Sequence, residues 1–255
     1  MIGIMKIWRS IMRLMDRIFG DGERTRYYCP CCDTTIGFRR GFWYWNPTIF
    51  DVKRYRKTPQ KVICPVCGSL PRHRIIASWC EAHMDSLRGK KILVFAPEIS
   101  MCYFLRQNGI AFLTADLRRI ADLKIDIQDT GLARNSFDVI FCNHVLEHVN
   151  DLQAALGELH RIISEDGMVI CSFPIDWKKA KTIEGSAALT RYEHIKLFGQ
   201  WDHNRLFGRD SKKILTEAGF RVETIDLSMI SPRIRAITGP ADYDSNKIFV
   251  CKKNS

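Results

Sequence analysis

The 255-residue sequence contains no uninterrupted apolar run near the roughly 18 residues a membrane-spanning helix needs. It also has no internal repeat and no low-complexity tract, which sets aside solenoids and tethers. Proline (9) and glycine (16) are modest and without a period, so the chain is not collagen-like. With 46% hydrophobic against 26% charged residues it is not a disordered polyelectrolyte either. The N-terminus lacks the layout of a secretory signal: Lys6, Arg9, Arg13, Asp16 and Arg17 interrupt every candidate apolar core, and no small-residue cleavage site follows. The expectation is a folded cytoplasmic chain of one medium domain plus a small one. In that compartment clustered cysteines read as metal ligands and scattered ones as small buried apolar residues. Acidic residues are scarce only at the front. Residues 1–91 hold 18 Lys+Arg against 7 Asp+Glu, so the formal net charge of +11 belongs to that third alone.

Residues 1–22 read as a basic amphipathic helix ended by Gly20-Asp21-Gly22. Ile4, Ile7, Trp8, Ile11, Leu14, Met15, Ile18 and Phe19 share one face and the cations the other. Such a face packs on the protein's own domain or on a second copy, or it lies in a membrane interface, giving peripheral contact at the inner face of the membrane through residues 2–19.

Residues 23–75 carry two cysteine knuckles, Cys29-Pro30-Cys31-Cys32 and Cys64-Pro65-Val66-Cys67-Gly68. Each sets two thiolates on a tight turn whose amides bond sulfur, and four thiolates close a tetrahedral zinc shell. Cys29, Cys32, Cys64 and Cys67 are the expected ligands of a structural zinc in a ribbon-like domain, with Cys31 and His73 as competitors. Between the knuckles, Phe42-Trp43-Tyr44-Trp45 and the run Lys53-Arg54-Tyr55-Arg56-Lys57 suit either nucleic-acid stacking or the small core and solvated flank of the ribbon.

From residue 76 to 255 the chain alternates short apolar runs with helical patterns, the signature of a βαβ sheet. Strands are expected at Lys91–Ala96, Ala111–Asp116, Phe137–Cys142, Met168–Phe173, Phe220–Asp226 and Asn246–Lys252, with helices at Ser100–Asn108, Leu152–Ser164 and Ser211–Ala218. Asp166-Gly167 reads as the turn into the fourth strand.

The most informative stretch runs Phe137-Asp138-Val139-Ile140-Phe141-Cys142-Asn143-His144-Val145-Leu146-Glu147-His148-Val149, followed by Leu156-Gly157-Glu158-Leu159-His160-Arg161-Ile162-Ile163. A buried strand ends in polar residues at its carboxyl edge, where open α/β sheets bind ligands. This resembles the class I S-adenosylmethionine-dependent methyltransferases of the type 11 group, over about residues 91–252. It is similar in particular to bacterial members with an N-terminal cysteine segment like Cys64–Arg74. The resemblance implies a Rossmann-like α/β sheet and S-adenosylmethionine as cofactor. It implies that Asp116 binds the ribose hydroxyls with Leu117 beside it, that Asp126 and Ile127 meet the adenine, and that Asn143 and His144 border the methyl. The chain departs from the group at the first loop, where a glycine-rich turn is replaced by Ala96-Pro97-Glu98. There Glu98 is placed toward the cofactor's amino group or sulfonium.

A long segment, Pro174 to Gly208, has the length of a lid or substrate site. Methyl transfer is an in-line displacement that needs alignment and, for a hydroxyl, a base. His144 and His203 are the candidates, with Glu147 orienting a histidine and His148 and His160 in packing roles. The acidic signature of amino-group methyltransferases is absent after the fourth strand, which favours an oxygen acceptor on a small molecule or a glycan, including a lipid-linked one. An RNA methyltransferase using the ribbon to bind RNA is a second reading. A non-catalytic zinc-containing binding protein on a degenerate fold is a third.

Overall fold

The computed structural model describes residues 27–36, 64, 66–186, 189–225 and 247–254, together with positions 10, 11 and 14. The expected helix over 2–19 lies mostly outside the described residues, although 10, 11 and 14 are helical, with Ile11 and Leu14 exposed. The aromatic and basic runs at 41–57 lie outside them altogether. Among the described residues no helix is long and apolar enough to cross a membrane.

Two short strands, β1 (Tyr27–Cys29) and β2 (Thr34–Ile36), form a hairpin around the first knuckle. Helix α1 (Pro71–Ala82) follows the second. Then come β3 (Ile92–Phe95), α2 (Ile99–Gln107), β4 (Leu113–Ala115), β5 (Phe137–Asn143), α3 (Leu152–Ile162) and β6 (Ile163–Ser172). Beyond them lie β7 (Ile183–Glu184), α4 (Arg191–Phe198), β8 (Arg205–Leu206), α5 (Ser211–Glu217), β9 (Phe220–Ile225) and β10 (Ile248–Lys253).

The main sheet has the order β4-β3-β5-β6-β10-β9. β4, β3, β5 and β6 run parallel, and β10 enters antiparallel between β6 and β9. This is the α/β architecture expected. The inner parallel strands β3 and β5 are apolar on both sides, as strands with both faces covered are. Ile92, Val94, Val139, Phe141, Met168, Ile170, Ile248 and Val250 join one apolar cluster, with Ile75, Ile76, Phe104 and the knuckle cysteines. The alternate residues Leu93, Phe95, Ile140, Cys142, Val169, Cys171, Phe249 and Cys251 join the other, with Leu156, Leu159 and Leu215. The cysteine segment therefore shares its apolar cluster with one face of the sheet, with α1 between.

All six expected strands are present within one to five residues of their expected bounds, but the turn at Asp166-Gly167 is not. Both residues fall inside β6, where the register against β5 jumps from Phe137↔Ile163 to Val139↔Met168. The chain makes its reversal as a bulge. Gly167 is required there because a Cβ would lie 2.9 Å from the Asp138 carbonyl and 2.8 Å from Ile163 Cγ1.

Gly167→Ala should therefore destabilise the fold by about 1–3 kcal/mol in denaturant unfolding, through overpacking against backbone. Gly157→Ala, on the exposed face of α3 with nothing within 4 Å of the new Cβ, should stabilise it by up to about 1 kcal/mol through helix propensity.

Candidate active site

Strands β3, β4 and β5 are neighbours and parallel, so their carboxyl ends line up along one edge. Ala96, Asp116 and Asn143–His144 emerge there, as an open α/β sheet requires of a ligand edge. Asp116 is half-buried, and its Oδ1 accepts the Arg118 and Arg119 amides at 2.7 Å each, which fixes the carboxylate and leaves Oδ2 for a further donor. The neighbouring Leu117 is exposed. Asp126 is oriented by Gln128, whose amide and side chain both donate to its Oδ1, at 2.9 and 3.0 Å, while Ile127 is buried. Asn143 is buried and accepts the Ser172 hydroxyl at 3.0 Å.

The glycine-free first loop keeps a glycine-like path. Ala96 has φ +44°, and its amide donates to the Ala115 carbonyl at 2.8 Å. A non-glycine residue in that region costs about 1–2 kcal/mol and persists only where its surroundings fix it. What fixes this loop is Glu98. Its Oε1 accepts from Arg72 Nη2 at 2.7 Å and from His73 Nε2 at 2.6 Å, both on the first turn of α1. His73 Nδ1 receives the Leu70 amide at 3.1 Å and lies 2.8 Å from the Ser100 hydroxyl, so Nε2 carries the proton. Burial lowers the His73 pKa, which agrees with a neutral ring donating to a carboxylate. Burial raises the Glu98 carboxyl, but His73 and Arg72 more than offset it and hold it at about 2. Glu98 Oε2 is buried with no hydrogen-bond partner. A buried anionic oxygen left open at the ligand edge fits a cationic donor such as an α-amino group. His73 is thus committed to Glu98 rather than to the cysteines.

The four cysteines expected to bind metal are brought together. Cys29, Cys32, Cys64 and Cys67 are buried with all sulfurs within 4.8 Å of one another. Cys29–Cys67 and Cys32–Cys64 are 3.7 and 3.8 Å apart. A tetrahedral zinc with bonds of about 2.3 Å would set its sulfurs about 3.8 Å apart, so the cluster fits that ion. Cys31 is also buried but lies outside the tetrad, and burial pushes its thiol well up. Arg74, fully buried, bonds the Ser69 carbonyl at 2.7 Å, while Ser69 Oγ lies 3.1 Å from Cys29 Sγ. A cation is thereby built in behind the thiolates.

Beyond β5 the chain turns sharply: His144 has φ +53°, and its amide donates to the Ser172 carbonyl at 2.7 Å. His144 Nδ1 is 3.0 Å from Glu147 Oε1, and its Nε2 is buried without a partner. The other expected base, His203, is placed against the same carboxylate by the long segment. That segment is docked rather than loose. The Asn204 amide donates to the Glu147 carbonyl at 2.7 Å, Arg205 Nη1 donates to the carbonyls of Leu146 and Val149, and Arg205 Nε pairs with Glu184 at 3.0 Å. Burial lowers the His203 pKa against the pull of Glu147. Burial raises the Glu147 carboxyl, but the histidines around it, His144 foremost, hold it down. Reading the sequence overlooked Arg72 and the position of His148, which meets His203 edge-on with ring centroids 4.8 Å apart. The signal for the first was its place directly behind the second knuckle. For His148 it was only the i, i+1 neighbourhood of Glu147.

Residues 101–171, from α2 through β6, match the methyltransferase domain family. Over this stretch the chain is similar to that family. A reducing polyketide synthase, Preu2, of Preussia isomera is 35% identical over 65 residues, covering 26% of this chain and 2% of that one. An uncharacterized 37.1 kDa protein in transposon TN4556 of Streptomyces fradiae is 31% identical over 104 residues, 39% of this chain and 29% of that one. The chain thus spans less than a third of each curated relative. Among solved structures, an S-adenosylmethionine dependent methyltransferase from Mesorhizobium loti superposes with a TM-score of 0.49 at 16% identity, covering 71% of this chain and 98% of that one. The matched segment begins within α2 and ends within β6, so Ala96, Pro97, Glu98 and the cysteine tetrad lie before it.

Because the Glu98 carboxyl is depressed from its ordinary 4.5 to about 2, its contribution to stability is present above pH 4.5 and is lost as pH falls toward 2. Glu98→Gln should flatten the stability–pH curve across that window and lower stability at pH 7, measured by denaturant titration at stepped pH. An unchanged acid limb would show that the carboxylate is not held as described.

Proposed function

We propose that this chain is an S-adenosylmethionine-dependent methyltransferase that methylates an oxygen of a small molecule or glycan. The observation that carries the reading is the open Oε2 of Glu98, aligned along the same sheet edge as the Asp116 carboxylate. A cofactor with a cationic α-amino group at one end and a vicinal diol further along asks for those two acceptors in that order. Asp126 with Ile127 would take the adenine, and Asn143 and His144 would border the sulfonium. When bound, the cofactor supplies an electrophilic methyl group. The protein's task is to align the acceptor and to receive its proton. His144 Nε2, buried and unpartnered, has the lone pair for that when Glu147 stands at Nδ1. His203 is the second candidate.

We further propose that the tetrad Cys29, Cys32, Cys64 and Cys67 holds one structural zinc and that the protein works in the cytoplasm. All ten cysteines are free, as a reducing compartment keeps them.

Calorimetry on zinc-loaded protein should show S-adenosylhomocysteine binding in the micromolar range, weakened at least tenfold by Asp116→Ala. No binding to well-folded protein would end the enzyme reading. Metal analysis should find one zinc per chain, with Cys64→Ser losing it and melting at lower temperature. Zinc retained at full stoichiometry by Cys64→Ser would remove that cysteine from the shell.

A further inference from the structure

Glu147 is the most anomalous side chain of the described residues. It is 1% exposed, its Oε1 is met by His144 Nδ1 at 3.0 Å, and its Oε2 has no hydrogen-bond partner. A buried carboxylate with one oxygen open is costly unless something cationic meets it. Around it stand three imidazoles. The ligand atoms of Glu147, His148 and His203 all lie within 4.8 Å of one another. His148 Nδ1 is engaged by the Asp202 carbonyl at 2.9 Å, with Asp202 Oδ2 at 3.5 Å. That contact makes Nδ1 the protonated nitrogen and Nε2 the lone pair, the outer-shell arrangement that sets a metal-binding histidine. The segments that carry the three residues are fixed to each other. The Asn204 amide donates to the Glu147 carbonyl, and Asn204 Nδ2 donates to the His148 carbonyl at 2.8 Å.

We infer that Glu147, His148 and His203 form a second metal site, distinct from the cysteine tetrad, which takes one divalent first-row transition ion. Two imidazoles and a carboxylate bind such an ion while leaving coordination positions open, whereas thiolate tetrads close theirs. The site lies directly after β5, and His148 is only half-buried, so the open positions are within reach of solvent. Their ligands would be oxygen donors, and an acceptor carrying two adjacent oxygens is the class that chelates. A hydroxyl bound there loses its proton more readily. This use of the ion rests on the methyltransferase reading, while the site itself does not. His203 then becomes a ligand and the proton falls to His144.

The test uses full-length protein whose cysteines have been filled with zinc. Mn2+ and then Co2+ are titrated without cofactor, free Mn2+ being followed by electron paramagnetic resonance and bound Co2+ by elemental analysis after dialysis. Manganese is chosen first because soft thiolates compete poorly for it. One ion per chain is expected. Glu147→Gln and His203→Ala should each weaken uptake at least about 100-fold, more than an outer-shell loss gives. His160→Ala, a histidine near the end of α3 whose ring meets Phe220, should leave it unchanged. Melting curves report folding, and should Glu147→Gln not fold, His203→Ala decides. No uptake of either ion, or uptake unchanged in the folded variants, overturns the site. Because cofactor is absent, failure here is separable from failure of S-adenosylhomocysteine binding.

Discussion

The contact on which the ligand edge depends is the half-buried fork of Arg72 and His73 on Glu98 Oε1, at 2.7 and 2.6 Å. It joins the first turn of α1, which follows directly from the second cysteine knuckle, to the loop after the first sheet strand. A loop built on glycines holds its shape through backbone freedom. Here Ala96 sits at φ +44° in a region that disfavours a Cβ, and the shape is imposed from outside by a carboxylate that two donors will not release. The cysteine segment is therefore part of the ligand edge and not a detached appendage. Its apolar residues, its buried Arg74 and its helix all belong to the same packed face as β3 and β5.

A second carboxylate organises the other half of the edge. Glu98 is satisfied on one oxygen and open on the other, and Glu147 meets His144 Nδ1 at one oxygen and is open on the other. Glu98 stands three residues beyond the carboxyl end of β3 and Glu147 four beyond that of β5. At each the backbone passes through a left-handed non-glycine residue, Ala96 in one case and His144 in the other. Strain of this kind persists only where neighbouring structure over-determines it. The neighbours are α1 at the first position and the Asn204–Arg205 clamp at the second.

The parallel sheet was legible because its strands are buried on both faces and read as apolar runs bounded by charge, as in Leu93-Val94-Phe95 and Val139-Ile140-Phe141. The cysteine tetrad was legible because two identical spacings repeat. Less could be read where the determinant is a long-range contact between unlike segments. Nothing in Asp166-Gly167 distinguishes a turn from a bulge, since the answer depends on the Asp138 carbonyl 2.9 Å away from the missing Cβ. Arg205 and Asp202 suggest a mutual pair from their spacing, but Arg205 instead pairs with Glu184 and the carbonyls after β5. His148 looked like a packing residue on a helix face. It became a site residue only because a segment more than fifty positions later folds back to set His203 beside it.

The sheet order also bears on how the chain assembles. Among the described residues β9 is hydrogen-bonded within the main sheet to β10 alone, and β10 comes after the other five strands of that sheet in sequence. During synthesis the parallel core from β3 to β6 can close on its own helices, but α5 and β9 emerge with no ladder to join. They must wait, with the β6 edge exposed, until Ile248–Lys253 inserts between them. The strand that completes the sheet is thus its latest and most non-local pairing, the step at which folding is slowest and an open edge is most prone to wrong partners.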